Sequence, residues 1–540
     1  MKRLAVHSRR ALVVGALVIL VAPSACTHSS GNARWGTLHE MTIARIGEPP
    51  SLNPLFEYDQ PDIDLTQLYA EPLVGLSSSN ALVPVIASRV PTLENGDISR
   101  DGRTITYRLR NDERFADGVQ LTSQDVAFTY HAIMDPANAV SEVQPYRIIE
   151  RLDAPDRFTV VLHLRRPWGA AVAALFAQSD FIYGILPAHA FSSTNLSHAP
   201  WNEHPFGSGP FRVAQWWRGN EIVLTRNPYS RRKPHLRRLI LKMVPDRNTE
   251  LLLLRTHAID VMDVVDDVQT AQVRSLPGLR LVRTEQNSIE YLAFNTQRPP
   301  TDDIRVRRAL LEAIDRPALA AKIYNGNWPL ATTELPAVLW AHDSAIQPIA
   351  FDPDRAAREL DTAGWKLQGD RRVKDGQELI VELAYPTAGN GAGSALVQAD
   401  LAKIGVRVVL RRYPATVFNA VPDGVSYGGR FNLMWGGFMG GTDPEQSEIY
   451  TCDRRAPSGP NFQRWCDRRY DRLFLEQSRR LNRSSRKALF NSMQRMVTDA
   501  VLFVPLVYSG TFSATNPTVR EWSPNMLFEF SNSEDWDVIP

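Results

Sequence analysis

The chain has 540 residues, 44% hydrophobic and 22% charged, an ordinary globular composition with room for three or four units of about 150 residues each. Its 61 Lys and Arg against 59 Asp and Glu give a formal net charge of +2, which argues against a generic nucleic-acid binder with its strong basic excess. Three cysteines are too few for a disulfide scaffold, and their odd number needs a separate account.

Lys2, Arg3, Arg9 and Arg10 precede an uninterrupted apolar run from Ala11 to Ala22, followed by Pro23-Ser24-Ala25-Cys26. Charge, then a short apolar segment, then small residues is the layout of a secretory signal. The run is too short for a comfortable membrane span, which takes about 20 residues. Cys26 after Ser24-Ala25 resembles a bacterial lipobox, with Pro23 where leucine is usual. Residues 1–25 are therefore expected to be removed as a signal peptide, Cys26 to be acylated, and residues 26–36 to form a polar tether. Loss of the leader turns the formal charge from +2 to slightly acidic, because the leader contains four basic residues and no acidic ones. Cys452 and Cys466 then remain, and in an oxidising compartment they are expected to form a disulfide.

Along the mature chain, Thr104–Arg110 and Phe158–Leu164 alternate polar and apolar residues and are predicted as half-buried strands. Between them, Thr122-Ser123-Gln124-Asp125 reads as a capping box opening a helix that carries Val126, Tyr130 and Ile133. Phe206-Gly207-Ser208-Gly209-Pro210-Phe211 is expected to offer bare backbone amides to anything docked there. A strand is predicted at Glu221–Leu224. Asp302-Asp303 precede a helix with Val306, Ala309, Leu310, Ala313 and Ile314 on one face, and Asp352-Pro353 supply N-cap and N1 for a helix ending near Gly364. Strands follow at Leu379–Leu383 and Val406–Leu410, and Ser484-Ser485 precede a helix that stops before Pro505. The pattern is mixed α/β. Arg231-Arg232-Lys233 and Arg468-Arg469 are too short for polyanion binding and are expected to be solvated surface.

The chain contains no G-x-x-x-x-G-K-[ST] and no H-E-x-x-H, and its eleven histidines are scattered. No catalytic residue, metal site or cofactor is therefore expected. Gly389–Ser394 lacks the rest of a dinucleotide fingerprint and reads as a strand-to-helix connection. Trp435-Gly436-Gly437-Phe438-Met439-Gly440-Gly441-Thr442-Asp443-Pro444 is more informative. Four glycines around Trp and Phe set exposed main chain beside stacking faces, which suits an extended ligand.

Several of these segments, in order, resemble one family, the bacterial extracellular solute-binding proteins of the oligopeptide/dipeptide type that serve ABC importers. The resemblance is carried by Pro50-Ser51-Leu52-Asn53-Pro54, Leu68–Val74, Arg108-Leu109-Arg110, Phe115-Ala116-Asp117-Gly118 and Leu121–Val126. It continues through Gly207–Phe211 with Arg226-Asn227-Pro228, then Phe294-Asn295, Val306-Arg307-Arg308-Ala309, Ala313–Arg316 and Asp352–Trp365. Asp467, Asp471 and Val504-Pro505-Leu506 complete it. It implies an α/β, two-lobe periplasmic-binding-protein-like fold, the large three-domain variant of type II, with the ligand cleft between the lobes. Lobe I would comprise 37–83, 201–294 and 504–540 with an extra domain at 84–200, and lobe II would be 295–503. The implied function is a monomeric, extracytoplasmic, non-enzymatic binding component that captures a peptide or peptide-like solute and delivers it to a membrane permease. A relative binding a metal chelate, haem or oligosaccharide is the alternative, and an exported hydrolase a more remote one.

Ligand contacts implied by the resemblance are Trp435, Gly436, Gly437, Phe438 and Asp443, with Tyr69, Glu71, Tyr291 and Tyr508 from the opening segment and the hinges. Peptide binders of this kind often place an Asp three residues beyond the Trp to pair with the ligand's ammonium group, and here that position is Phe438. Asp443 is the nearest acid able to substitute, but its Asp-Pro step also suits a turn, so strict preference for peptides with a free N-terminus is not expected.

Overall fold

The computed structural model describes residues 36–540 apart from 57–59, 141, 180–182 and 388–389, and the side chains of 60–62 are likewise left aside. The signal segment and Cys26 lie outside the described residues.

The strands that matter here are β1 (Glu40–Ile46), β2 (Thr104–Arg108), β3 (Ile149–Asp156), β4 (Thr159–Leu164), β5 (Phe211–Trp217), β6 (Glu221–Arg226) and β7 (Arg238–Val244). They continue with β8 (Val261–Met262), β9 (Arg280–Phe294), β10 (Ile380–Pro386), β11 (Arg407–Tyr413), β12 (Leu433–Met439) and β13 (Phe503–Thr515). Ten of them form one mixed sheet in the order β11-β10-β12-β9-β13-β8-β1-β7-β6-β5, and β2-β4-β3 form a separate three-stranded sheet. All five strands anticipated from periodicity are present as β2, β4, β6, β10 and β11, with ends moved by up to three residues.

The long antiparallel pair β9 and β13 joins the two halves of the sheet. Their register runs from Arg280 opposite Thr515 to Ala293 opposite Phe503, with a break between Glu285 and Ser288 and a second, smaller shift between Glu290 and Tyr291. On one side of the break the sheet continues through β8, which pairs with Ala514 and Thr515. On the other side it continues through β12, which pairs with Ser288–Phe294. A bulge locally twists and bends a ladder, so this irregularity falls where the two lobes diverge.

Each lobe has its own apolar core. Met41, Ile43, Phe211, Leu239, Val261 and Trp536 pack under the β1 half, and Phe294, Leu310, Leu360, Val381, Leu401 and Val504 pack in the other. A third core, including Tyr107, Phe115, Val126, Ile133, Val160 and Phe176, surrounds the small sheet. The helix of that third core, α1 (Ser123–Met134), starts at the anticipated capping box, where the Asp125 carboxylate accepts the Thr122 N–H at 2.8 Å. In the second lobe, α2 (Ile304–Ala313) buries Val306, Ala309, Leu310 and Ala313, the face read from their spacing. The helix α3 (Pro353–Thr362) is capped by Asp352, which accepts the Arg355 N–H at 2.8 Å. After it come α4 (Gly391–Ala402), α5 (Arg468–Arg479) and α6 (Arg483–Asp499). The last begins slightly earlier than expected: Asn482, not Ser484 or Ser485, is its N-cap, accepting the Ser485 N–H at 3.1 Å. Among the described residues no helix is long and apolar enough to cross a membrane.

Two sequence expectations change. The glycines of Phe206–Phe211 do not offer their backbone to a ligand, because the Tyr69–Ala70 chain already occupies that space. A Cβ on Gly207 would lie 2.1 Å from the Tyr69 carbonyl oxygen, and the Gly209 N–H donates to the same oxygen at 3.0 Å. Nor are Arg231 and Arg232 solvated. Arg231 pairs with Glu113 at 2.6 Å, and Arg232 pairs with Glu71 at 2.6 Å and also with Glu534.

Cys452 and Cys466 form a disulfide that closes a loop of sequence separation 14. Alkylation of the denatured, unreduced protein should label neither residue. Replacing both by serine should lower unfolding free energy by about 3 kcal/mol through the lost constraint on the unfolded chain, measured from the urea midpoint.

Candidate ligand-binding site

The strand β12 begins as an interior strand. Leu433 and Met434 pair with Leu383 and Ala384 of β10 while β9 pairs on the other side. Beyond Met434, β10 leaves with β11 and only β9 remains. One edge of Trp435–Met439 therefore has no strand partner among the described residues. Because β10 runs parallel to both β11 and β12, this opening lies at the carboxyl ends of parallel strands, where open α/β sheets bind ligands.

The two glycines thin the strand at the opening. A Cβ on Gly436 would come 3.0 Å from the Tyr291 ring, and one on Gly437 would come 2.8 Å from Glu290 Oε1. Gly437 and Met439 are exposed, and Gly436 and Phe438 half-buried. The register puts Phe438, Ile289 and Tyr508 in one row across β12, β9 and β13, so the sheet brings three predicted positions, Phe438, Tyr291 and Tyr508, to one face. Tyr291 meets Phe503 at a ring separation of 5.5 Å. The Tyr508 hydroxyl accepts the Thr332 and Thr333 N–H groups at 3.1 and 3.0 Å, tying the 331–343 segment to β13.

The turn after β12 is fastened to the break in the hinge ladder. Asn287 accepts the Gly440 N–H on its carbonyl at 2.9 Å and donates its amide to the Gly441 carbonyl at 2.8 Å. Asp443 receives both Nη atoms of Arg486 at 2.7 and 2.5 Å, and Arg486 also reaches Glu445 at 3.2 Å. Burial, with the Asp443 charge adding to it, pushes the Glu445 carboxyl up to about 7. Next to this turn a cavity of about 640 Å³ lies between Tyr146, Trp168 and Tyr183 on one wall and Phe438, Asp443 and Phe474 on the other. The walls touch where the Gly169 N–H donates to the Ser478 carbonyl at 2.7 Å and the Thr442 hydroxyl donates to Ala173 at 3.2 Å.

The other predicted positions lie deeper. Trp435 is 2% exposed and wedges its indole against α4, where a Cβ on Gly393 would come 2.4 Å from Cη2. Tyr69 is fully buried and donates its hydroxyl to the Leu52 carbonyl. Glu71 is buried in its pair with Arg232. Asn287, Glu290 and Arg486 were not anticipated. For Glu290 the sequence signal is a lone acid within the apolar strand pattern Ile289-Glu290-Tyr291-Leu292.

The family model described as bacterial extracellular solute-binding proteins, family 5, middle, matches residues 81–459. The chain is similar to di/tripeptide-binding protein 2 of Pseudomonas aeruginosa, with 24% identity over 477 residues covering 84% of this chain and 87% of that protein. It is similar to heme-binding protein A of Haemophilus influenzae, with 25% identity over 499 residues and 88% of each chain covered. Among solved structures it resembles NikA from Brucella suis in complex with Fe(III)-EDTA, at a TM-score of 0.80 and 22% identity, covering 93% of this chain and all of that one.

Trp435 and Phe438 should separate in their effect on stability. Trp435→Ala empties a packed site and is expected to cost about 3–5 kcal/mol, whereas Phe438→Ala, with its half-exposed ring, should cost much less. Denaturant unfolding of the two variants measures the difference.

Proposed function

The chain belongs to the bacterial extracellular solute-binding proteins of family 5, and we propose that it captures a peptide or peptide-like solute along the open edge of β12 and hands it to an ABC permease. The observation that carries this reading is the unpaired edge at Trp435–Met439, where β10 has departed. An extended main chain can complete such an edge by β-augmentation, with backbone hydrogen bonds giving affinity and neighbouring pockets giving selectivity. Gly436 and Gly437 leave the strand's backbone accessible, Phe438, Tyr291 and Tyr508 supply the aromatic face, and the Asp443 turn borders the adjoining cavity. Trp435 holds β12 in place from behind. On the other side of the cleft, Tyr69 and Glu71 stiffen the first lobe's contribution. Rotation about the β9–β13 break closes the lobes, and the closed shape is what the permease reads.

In this reading the leader through Ala25 exports the protein, and the acylated Cys26 holds it, as a monomer, at the outer face of a membrane. Cys26→Ser should then move the protein from the membrane fraction to the soluble extracytoplasmic fraction. Retention in the membrane would remove the anchor from the account.

Native mass spectrometry after gentle purification tests the ligand. A retained peptide, and calorimetric peptide binding weakened at least about tenfold (1.4 kcal/mol) by Phe438→Ala, are the expected results. A retained haem or metal chelate, with no peptide binding, would replace the peptide reading.

A further inference from the structure

We infer that Glu290 makes the open edge of β12 selective for solutes that carry a positively charged nitrogen. This rests on the reading of that edge as the ligand site and adds a specificity-determining residue to it. Ile289 and Tyr291 face the aromatic cluster, so Glu290 projects from the opposite face of β9, the side on which Trp435 and Leu292 pack. It is directly across the ladder from Gly437. Gly437 is exposed, and even a methyl group there would stand 2.8 Å from Glu290 Oε1. The carboxyl is thus separated from the open edge by a residue with no side chain.

Its surroundings leave the carboxyl without a counter-charge. Among the described residues no Lys, Arg or His forms an ion pair with it. The nearby Trp435 indole N–H, itself without a hydrogen-bond partner among the described residues, favours the ionised form, but burial prevails and pushes the carboxyl up to about 7. The Tyr324 hydroxyl, close enough for the Glu290 charge to act on it, is buried without a hydrogen-bond partner among the described residues. An acid held in such a place costs free energy until a cation or donor reaches it. A ligand ammonium group at the edge of Gly437 would supply a charge-assisted hydrogen bond. Phe438 offers no charge for that purpose, so the acid comes from the neighbouring strand.

The sign of the pH effect follows. A cationic ligand favours ionised Glu290, so binding below its raised value must expel a proton, and affinity falls as pH falls. Going from pH 7.5 to 5.5 should weaken binding roughly twentyfold. The titratable groups that feel the Glu290 charge are Tyr324 and, from the other face of the strand, Tyr291, both shifted upward by burial and neutral in this range. Asp267 acts on Tyr324 from beyond it.

Isothermal titration with trialanine and with N-acetyl-trialanine at pH 7.5 tests the assignment. The unaltered protein should bind the free amine at least tenfold more tightly. Glu290→Gln should erase that preference and the pH dependence while leaving the acetylated ligand within about twofold. Gly437→Ala, by covering the carboxyl, should reduce the preference without removing the acid. Equal affinity of the unaltered protein for both ligands, or a preference surviving in Glu290→Gln, overturns the role of Glu290 while the β12 edge stands. Failure to bind either ligand overturns the edge reading and the role of Glu290 together.

Discussion

The antiparallel ladder of Arg280–Phe294 with Phe503–Thr515 is the constraint on which the rest of the molecule depends. Both lobes take their sheet from it, one from each side of the break at Glu285 and Ser288. Every backbone group in such a strand needs a partner, and burying one unpaired costs free energy. The ladder can therefore bend only where its pairing is already interrupted. The side chains at that interruption are put to use: Asn287 fastens the Gly440–Gly441 turn, so the end of the candidate binding strand is linked to the pivot itself.

Buried ion pairs hold the pieces that periodicity cannot place. Arg232 lies between Glu71 and Glu534, residues separated by most of the chain, and Arg486 lies between Asp443 and Glu445. Removing one member of such a buried group leaves a desolvated charge, typically at a cost of 3–5 kcal/mol. These pairs contribute position more than net stability. Glu290, by contrast, has no ion-pair partner among the described residues and lies beside an open strand edge.

Much of the secondary structure was legible in the sequence because its causes are local. The capping box at Thr122 and Asp125, the Asp-Pro start at Asp352 and the alternation of Thr104–Arg108 each act within a few residues. The family resemblance extended this to a fold, and the family match over residues 81–459 bears it out. The glycine motif at Phe206–Phe211 misled for a definite reason. Glycine marks a close approach of backbone without saying what approaches, and here it is the chain's own Tyr69–Ala70. The Arg231–Arg232 cluster misled likewise, since its acidic partners lie far away in sequence.

The sequence by itself determined the class of the protein: an exported-looking leader, a mixed α/β chain, and an ordered set of segments that place it in one family. It also marked Trp435–Asp443 as the stretch to watch. Tertiary structure alone decided how those residues divide. Trp435 is packed into the core, Phe438 with Tyr291 and Tyr508 forms one face, and Glu290 stands beneath Gly437. That division follows from strand register and from the departure of β10 after Met434. Pairings between segments hundreds of residues apart leave no trace in local periodicity, because hydrophobic spacing records which residues are buried but not against what.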